Sequence, residues 1–394
     1  MVYVLPIAVV VLSVFSMSPF LKYDLTKKLI IIFFSLCFIT IASLRFETGT
    51  DWLPYFAFFN QSSYQYMLDS GLEPFYKLLA VVVKFLFNNY TVFLFSISTF
   101  FLIEIYSIWS IAEKFFRNKY SFLILLLAGY MFCFSNFMGG QRQAIAVALC
   151  VVSLKYLLQG KSYIYFPVWI CAFLFHNSAI LFVINFIIYY LISEKENRFF
   201  RVSTAYPILL TTVFFTVVYF FLTRGSSLNP YGSILLAKLL SYQGMSAVDE
   251  NLNYGMRNLL LISERLVLNF IILLDLDCYR KTKITKFIFS SYTFGTIFYI
   301  FFIFTARNVA GRGIEYFRFS DMIVLATLPE TLTHITLGGN KEKYAKGSDD
   351  YTRSFVKKMF EFLVSSYVIV RFLTIVLYAN SKFYLPYRSI FSIS

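Results

Sequence analysis

The sequence predicts an all-α, polytopic integral membrane protein with about 12 transmembrane helices and one further interfacial or re-entrant helix. Three observations predict it. First, the 394 residues are 59% hydrophobic and 14% charged, with 49 Phe and 30 Tyr, more apolar surface than a soluble domain could bury. Second, apolar stretches recur between Val2 and Asn380 at the roughly 20-residue length that crosses a bilayer, whereas a β-barrel would show shorter alternating segments. Third, positive residues gather in alternate loops.

The first span covers 2–20, which lacks the positive leader and small-residue cleavage site of a signal peptide. Further spans are expected at 29–44, 90–112, 120–137, 143–158, 162–175, 178–193, 204–223, 258–277, 286–305, 314–330 and 359–379. The stretch 74–87 is too short for a crossing, carries Lys77 and Lys84 and follows an acidic loop, so it reads as the interfacial or re-entrant helix. It belongs to an external loop over 45–89. A second external, periplasmic loop over 224–257 and a cytoplasmic loop over 331–358 complete a single transmembrane domain over 1–394. Cys37, Cys133, Cys150, Cys171 and Cys278 stand singly with no C-x-x-C pair and read as small apolar residues.

The loops 21–28, 113–119, 155–161, 194–203, 278–286 and 331–358 hold 16 Lys and 5 Arg, which marks them as cytoplasmic and leaves both termini outside. The rest of the chain holds 4 Lys and 10 Arg. The net charge of +14 thus reflects topology and anionic lipid, not nucleic acid. Lysine sets orientation, while the external arginines, whose planar forks match phosphate and carboxylate, point to an anionic ligand. Arg371, in mid-span, has no place in this scheme.

Five polar clusters fall on the external side. Arg45-Phe46-Glu47-Thr48-Gly49-Thr50-Asp51-Trp52 closes the second span and could form an anion or sugar pocket; a snorkelling arginine with a capped loop is the plainer alternative. Gly139-Gly140-Gln141-Arg142 opens the fifth span, where backbone N–H groups and a guanidinium suit phosphate, unless it is an ordinary hairpin turn. Phe175-His176-Asn177-Ser178 breaks two spans, and His176 could serve phosphate, an acceptor hydroxyl or simply structure. Near 307–318, a helix beginning at about Gly313 would put Arg312, Glu315 and Tyr316 on one face, with Arg318 paired to Asp321. The fifth cluster is Tyr384-Leu385-Pro386-Tyr387-Arg388, by default an aromatic anchor. No zinc spacing occurs and no cofactor is expected, though Glu47, Asp51 and Glu315 leave a divalent ion open. P-loop, dinucleotide and hydrolase motifs are absent from the sequence.

The order L-R-x-x-x-G-T-D-W-x-x-Y, R-Q-x-I-A, Y-L-L-Q-G-K, A-F-L-F-H-N-S-A, R-G-I-E-Y-F and L-P-Y-R-S-I, from Arg45 to Arg388, resembles the EpsG and Wzy family of bacterial polysaccharide polymerases. The resemblance implies a GT-C-like glycosyltransferase of O-antigen, capsule or exopolysaccharide assembly in the inner membrane. Its partners would be an undecaprenyl-diphosphate-linked oligosaccharide donor and acceptor, membrane lipid and a chain-length regulator. The growing glycan would pass, with inversion, to a hydroxyl of a new lipid-linked unit at the periplasmic face. Arg45, Arg142, Arg312, Gly139 and Gly140 would then hold the departing diphosphate. His176, with Asp51 second, would take the hydroxyl proton, and Glu47, Glu315, Tyr316 and Arg388 would orient substrate. Alternatives are a flippase or transporter of the same lipid, which usually carries an internal repeat, an O-antigen ligase, and a membrane scaffold.

Overall fold

The structure, a computed structural model, describes residues 2–60, 63–116, 120–192, 252–274, 282–305, 307–337, 348–379 and 384–392. Among them every regular element is helical, and the only pairing of extended backbone is an antiparallel bridge between Arg45 and Ser389. The helices are α1 Leu5–Ser16, α2 Asp24–Ser43, α3 Trp52–Asn60, α4 Tyr64–Asp69, α5 Pro74–Phe87, α6 Tyr90–Phe116, α7 Phe122–Met138, α8 Gln141–Leu158 and α9 Ser162–Phe175. After a 3-10 stretch, Asn177–Phe182, come α10 Val183–Leu191, α11 Leu252–Leu274, α12 Lys283–Thr305, α13 Arg307–Ile314, α14 Arg318–Thr336 and α15 Ser348–Thr374. The expected span at 204–223, the loop residues 224–251 and Cys278 lie outside the described residues.

Five stretches, Asp24–Ser43, Tyr90–Phe116, Gln141–Leu158, Lys283–Ile303 and Tyr351–Leu377, are long and apolar enough to cross a membrane, and further apolar helices are shorter. At about 1.5 Å per residue, the 20 residues of α2 reach the thickness of a bilayer's hydrocarbon core, while the 14 of α5 do not. The expected helix over 74–87 forms with those bounds: Pro74 starts it and a left-handed Asn88 (φ 44°) ends it. At the expected cytoplasmic loop 331–358 the helices run further than the apolar runs do. α14 continues to Thr336 and α15 starts at Ser348, because a charged first turn does not prevent a helix from continuing a spanning segment.

The chain divides into two compact units, one of Met1–Ile180, Leu325–Thr333 and Asn340–Ser394, the other of Leu181–Val324 and His334–Gly339. In the first, α7 is apolar on every side and correspondingly buried. Phe38 of α2 lies 4.2 Å from Phe101 of α6 and 5.6 Å, edge-on, from Tyr130 of α7. Each such aromatic contact is worth about 0.5–1.5 kcal/mol, and between apolar helices in lipid such packing supplies the cohesion. Arg371 lies over the Phe132 ring at 5.4 Å and donates to Tyr367 Oη. The cysteines Cys37, Cys133, Cys150 and Cys171 are free.

The second unit is tied by charge. Arg265 of α11 forks onto Asp321 of α14, with Nη2 2.6 Å from Oδ1 and in contact with Oδ2, over the ring of Tyr292. Arg318 reaches the same carboxylate at 3.0 Å and Glu315 at 3.4 Å. The pairing of Arg318 with Asp321 follows the expectation from spacing; the helix beginning near Gly313 does not. α13 ends at Ile314, a 3-10 turn spans Glu315–Phe317, and α14 begins at Arg318, so Arg312, Glu315 and Tyr316 do not share a continuous helical face. The reason is local: Gly313 packs so tightly that an added Cβ would lie 2.2 Å from the Phe298 ring, which places Gly313 inside the helix contact and not at a helix start.

Candidate functional site

In the first unit four elements deliver polar side chains to one place. Glu73 is the residue before Pro74, and the proline holds it extended (φ −64°, ψ 145°) at the N-terminus of α5. Its carboxylate does not cap that helix; it turns to α8. There Gly140 (φ −72°, ψ 61°) opens the helix, and Arg142 follows in its first turn. Arg142 Nη1 donates to Glu73 Oε2 at 2.5 Å, and Arg142 Nε donates to Tyr55 Oη of α3 at 3.2 Å. His176 ends α9 in an extended conformation (φ −158°, ψ 122°), which brings its Nδ1 to 4.0 Å from Glu73 Oε1 and lets the Asn177 N–H donate to that oxygen at 3.5 Å. Glu73 is thus the hub, with 8% of its side chain exposed against 23% for Arg142. Burial alone would raise its carboxyl pKa; the Arg142 guanidinium outweighs that and holds it below the usual glutamate value.

The proton on the imidazole can be placed from its neighbours. The Ser178 backbone N–H donates to His176 Nδ1 at 3.1 Å, with Ser178 Oγ at 2.9 Å from the same atom. A backbone N–H can only donate, so Nδ1 accepts and the neutral ring carries its proton on Nε2.

A framework of loop contacts sets this cluster in place. Gly49, at φ +111°, lies so close to the end of α7 that an added Cβ would stand 1.9 Å from the Met138 carbonyl oxygen, and one at Gly139 would stand 2.1 Å from Thr50 Oγ1. Gly139 was expected to offer a free N–H; instead that group donates to the Asn136 carbonyl, closing the end of α7, and the glycine serves the close approach of Thr50. Arg45 was expected among the diphosphate contacts. It is buried, with 2% exposed, and its Nη1 donates to the Phe137 carbonyl at 2.7 Å, so it caps the C-terminal end of α7. Gly49→Ala should cost about 1–3 kcal/mol from the backbone conformation alone, before the overlap with Met138 is counted. A melting temperature in mild detergent equal to that of the unmodified protein would contradict this packing.

Of the other expected residues, Glu47 and Arg388 come together as a surface ion pair at 2.8 Å, where the backbone of 388–390 runs beside 44–46 through Phe46 N–H to Arg388 O and Ile390 N–H to Leu44 O. Asp51 is half-buried one turn before Tyr55, and its carboxylate makes no hydrogen bond or ion pair with a described residue. Arg312, Glu315 and Tyr316 belong to the other unit. There Arg312 is exposed, Glu315 pairs with Arg318, and Tyr316 is buried with its carbonyl accepting from Asn185. Among the described residues no three His, Cys, Asp or Glu side chains gather as a metal site. Glu73 escaped the sequence reading. An acidic residue before a proline looks like a loop, and a separation of 69 positions from Arg142 gives no spacing to detect. A family model described as EpsG family matches residues 28–335, and no curated protein or solved structure matches the chain.

Proposed function

The chain belongs to the EpsG family, and on that premise we propose that it polymerises a lipid-linked polysaccharide as an inverting, GT-C-like glycosyltransferase. The donor is a glycan on undecaprenyl diphosphate; the acceptor is a hydroxyl of a new unit on the same carrier, at the periplasmic face. The observation that carries the proposal is the gathering of Arg142, Glu73, Tyr55 and His176 from four separate elements. Structure alone gives no reason for a guanidinium at the head of α8 to remain partly open while its neighbours are buried.

As the acceptor oxygen bonds to the anomeric carbon, the bond from that carbon to the diphosphate oxygen breaks and its electron pair leaves with the phosphate. Arg142 balances that charge where it develops. His176, carrying its proton on Nε2, is suited to donate a hydrogen bond to the leaving oxygens, and not to accept the hydroxyl proton. That proton goes to Asp51, whose carboxylate is uncommitted to any described partner. This order of roles reverses the expected one, in which His176 came first as base and Asp51 second. Arg45 and Gly139 hold the framework, the Gly140 turn presents Arg142, and Glu47 with Arg388 offer exposed contacts to sugar.

The test is reconstitution in vesicles with a lipid-linked repeat unit. Products longer than one unit, with inverted linkage, support a polymerase; substrate that changes leaflet without lengthening would make the chain a transporter. In the same assay Asp51→Asn should lower the rate about 10²- to 10⁴-fold. His176→Gln, which keeps an N–H near the Nε2 position, should retain more activity than His176→Ala. Equal, complete loss in both histidine variants would return the base role to the imidazole.

A further inference from the structure

The guanidinium of Arg142 has two bidentate edges, Nη1 with Nη2 and Nε with Nη2. In the structure each has one prong occupied: Nη1 by Glu73 and Nε by Tyr55, while Nη2 makes no hydrogen bond with a described residue. An arriving phosphate can therefore touch Nη2 at once, but the Nε edge is taken by Tyr55 and at Nη1 the phosphate meets the negative charge of Glu73, so it competes with that carboxylate for the guanidinium. Glu73 is the group with charge to lose and a place to go. Its other oxygen already accepts from the Asn177 N–H at 3.5 Å, so the carboxylate keeps a partner when it releases Arg142.

Resting on the assignment of Arg142 to the lipid diphosphate, we propose that Glu73 competes with that diphosphate for Arg142, weakening donor binding and expelling the spent carrier after transfer. The chemistry requires such a device. In the donor the terminal phosphate is esterified to sugar and the diphosphate carries two charges. Once the glycan has left, that phosphate gains a second ionisation, with a pKa of about 6, and binds a guanidinium more tightly than the substrate did. A fixed site tuned to the departing group would retain it. A buried carboxylate tethered beside the same guanidinium returns when the diphosphate shifts, and re-forms the resting pair.

Apparent affinity falls by the fraction of protein in which Arg142 is released. Glu73→Gln keeps the shape and an acceptor for Asn177 but removes the charge. It should lower the donor KM and the inhibition constant of inorganic diphosphate, each about tenfold, for a pair that leaves roughly one molecule in ten released. The first turnover after mixing should proceed undiminished while steady-state turnover falls, giving a burst that the unmodified protein lacks. Glu73→Asp, which keeps the charge one methylene further back, should lie between the two, and serves if the glutamine variant accumulates poorly. The probe that separates the layers is inorganic diphosphate, followed as a melting-temperature rise of the full chain in detergent. Stabilisation that disappears in Arg142→Gln and strengthens in Glu73→Gln supports the proposal. Stabilisation that depends on Arg142 but is indifferent to Glu73 overturns it alone, as would a raised donor KM or a lost first turnover in Glu73→Gln. No stabilisation in any variant overturns the assignment of Arg142 and this proposal with it.

Discussion

Arg142→Lys is expected to lower polymerisation at least about 100-fold while leaving the protein in the membrane and its melting temperature within a few degrees. Lysine keeps the positive charge and can still meet Glu73, so the resting ion pair and the packing of α8 survive. It cannot keep the geometry. The guanidinium presents donors in a plane, with Nε on Tyr55, Nη1 on Glu73 and Nη2 between them, whereas an ammonium is a single, strongly hydrated point. If the departing diphosphate is stabilised by two prongs at once, the loss falls on the bond-breaking step. Removing one preorganised donor at such a position costs about 10²- to 10³-fold. Glycan chain length on a gel, read beside membrane yield, decides it. Near-normal chains in the lysine variant would remove Arg142 from the chemistry.

The largest effect on stability is expected at Asp321. Its carboxylate answers two arginines, Arg265 from α11 and Arg318 beside it, with 5% of both the Arg265 and Asp321 side chains exposed. Asp321→Ala leaves those guanidinium groups facing each other in a low-dielectric setting, and breaking a buried pair in this way costs about 3–5 kcal/mol. The design of the cluster makes a second variant informative. In the double substitution Arg265→Met with Asp321→Leu, Arg318 still has Glu315 at 3.4 Å, and apolar groups fill the vacated space. Most of the lost stability should return, because replacing both members of a buried pair is often close to neutral. Melting curves of the single and double variants test this. A double variant no more stable than Asp321→Ala would show that Asp321 supports something beyond Arg265.

How much was legible in the sequence follows from the range of each signal. Apolar runs are local, so α2, α6, α7, α8 and α9 lie close to their expected positions, and the short helix 74–87 could be read from its length, its two lysines and the acidic loop before it. The contrast between lysine-rich loops and scattered arginines was legible too, but its meaning was divided. Arg265 and Arg318 are paired within the protein by Asp321, and Arg45 is committed through Nη1 to the end of α7, so the arginine excess does not all point at a ligand. What a one-dimensional pattern misses is partnership at a distance. Arg265 and Asp321 are 56 residues apart, and Glu73 meets Arg142 only because α5 packs on α6 and α9, which both lie against α8. The break between α13 and α14 was hidden for another reason: glycine suggests a helix start, yet Gly313 is there to admit a phenylalanine ring.

The reciprocal fit of Gly49 on Met138 and Gly139 on Thr50 also bears on engineering. Where Gly49 meets the Met138 backbone the two segments behave as a lock and its key cut from one blank: exchanging either with a relative's would import a mismatch there that no side-chain rotamer can absorb, while the Gly139 contact needs a side chain of threonine size at position 50. Hybrid proteins built to graft a new sugar preference should therefore transplant 45–52 and 136–142 as a matched pair, and place their crossover points elsewhere.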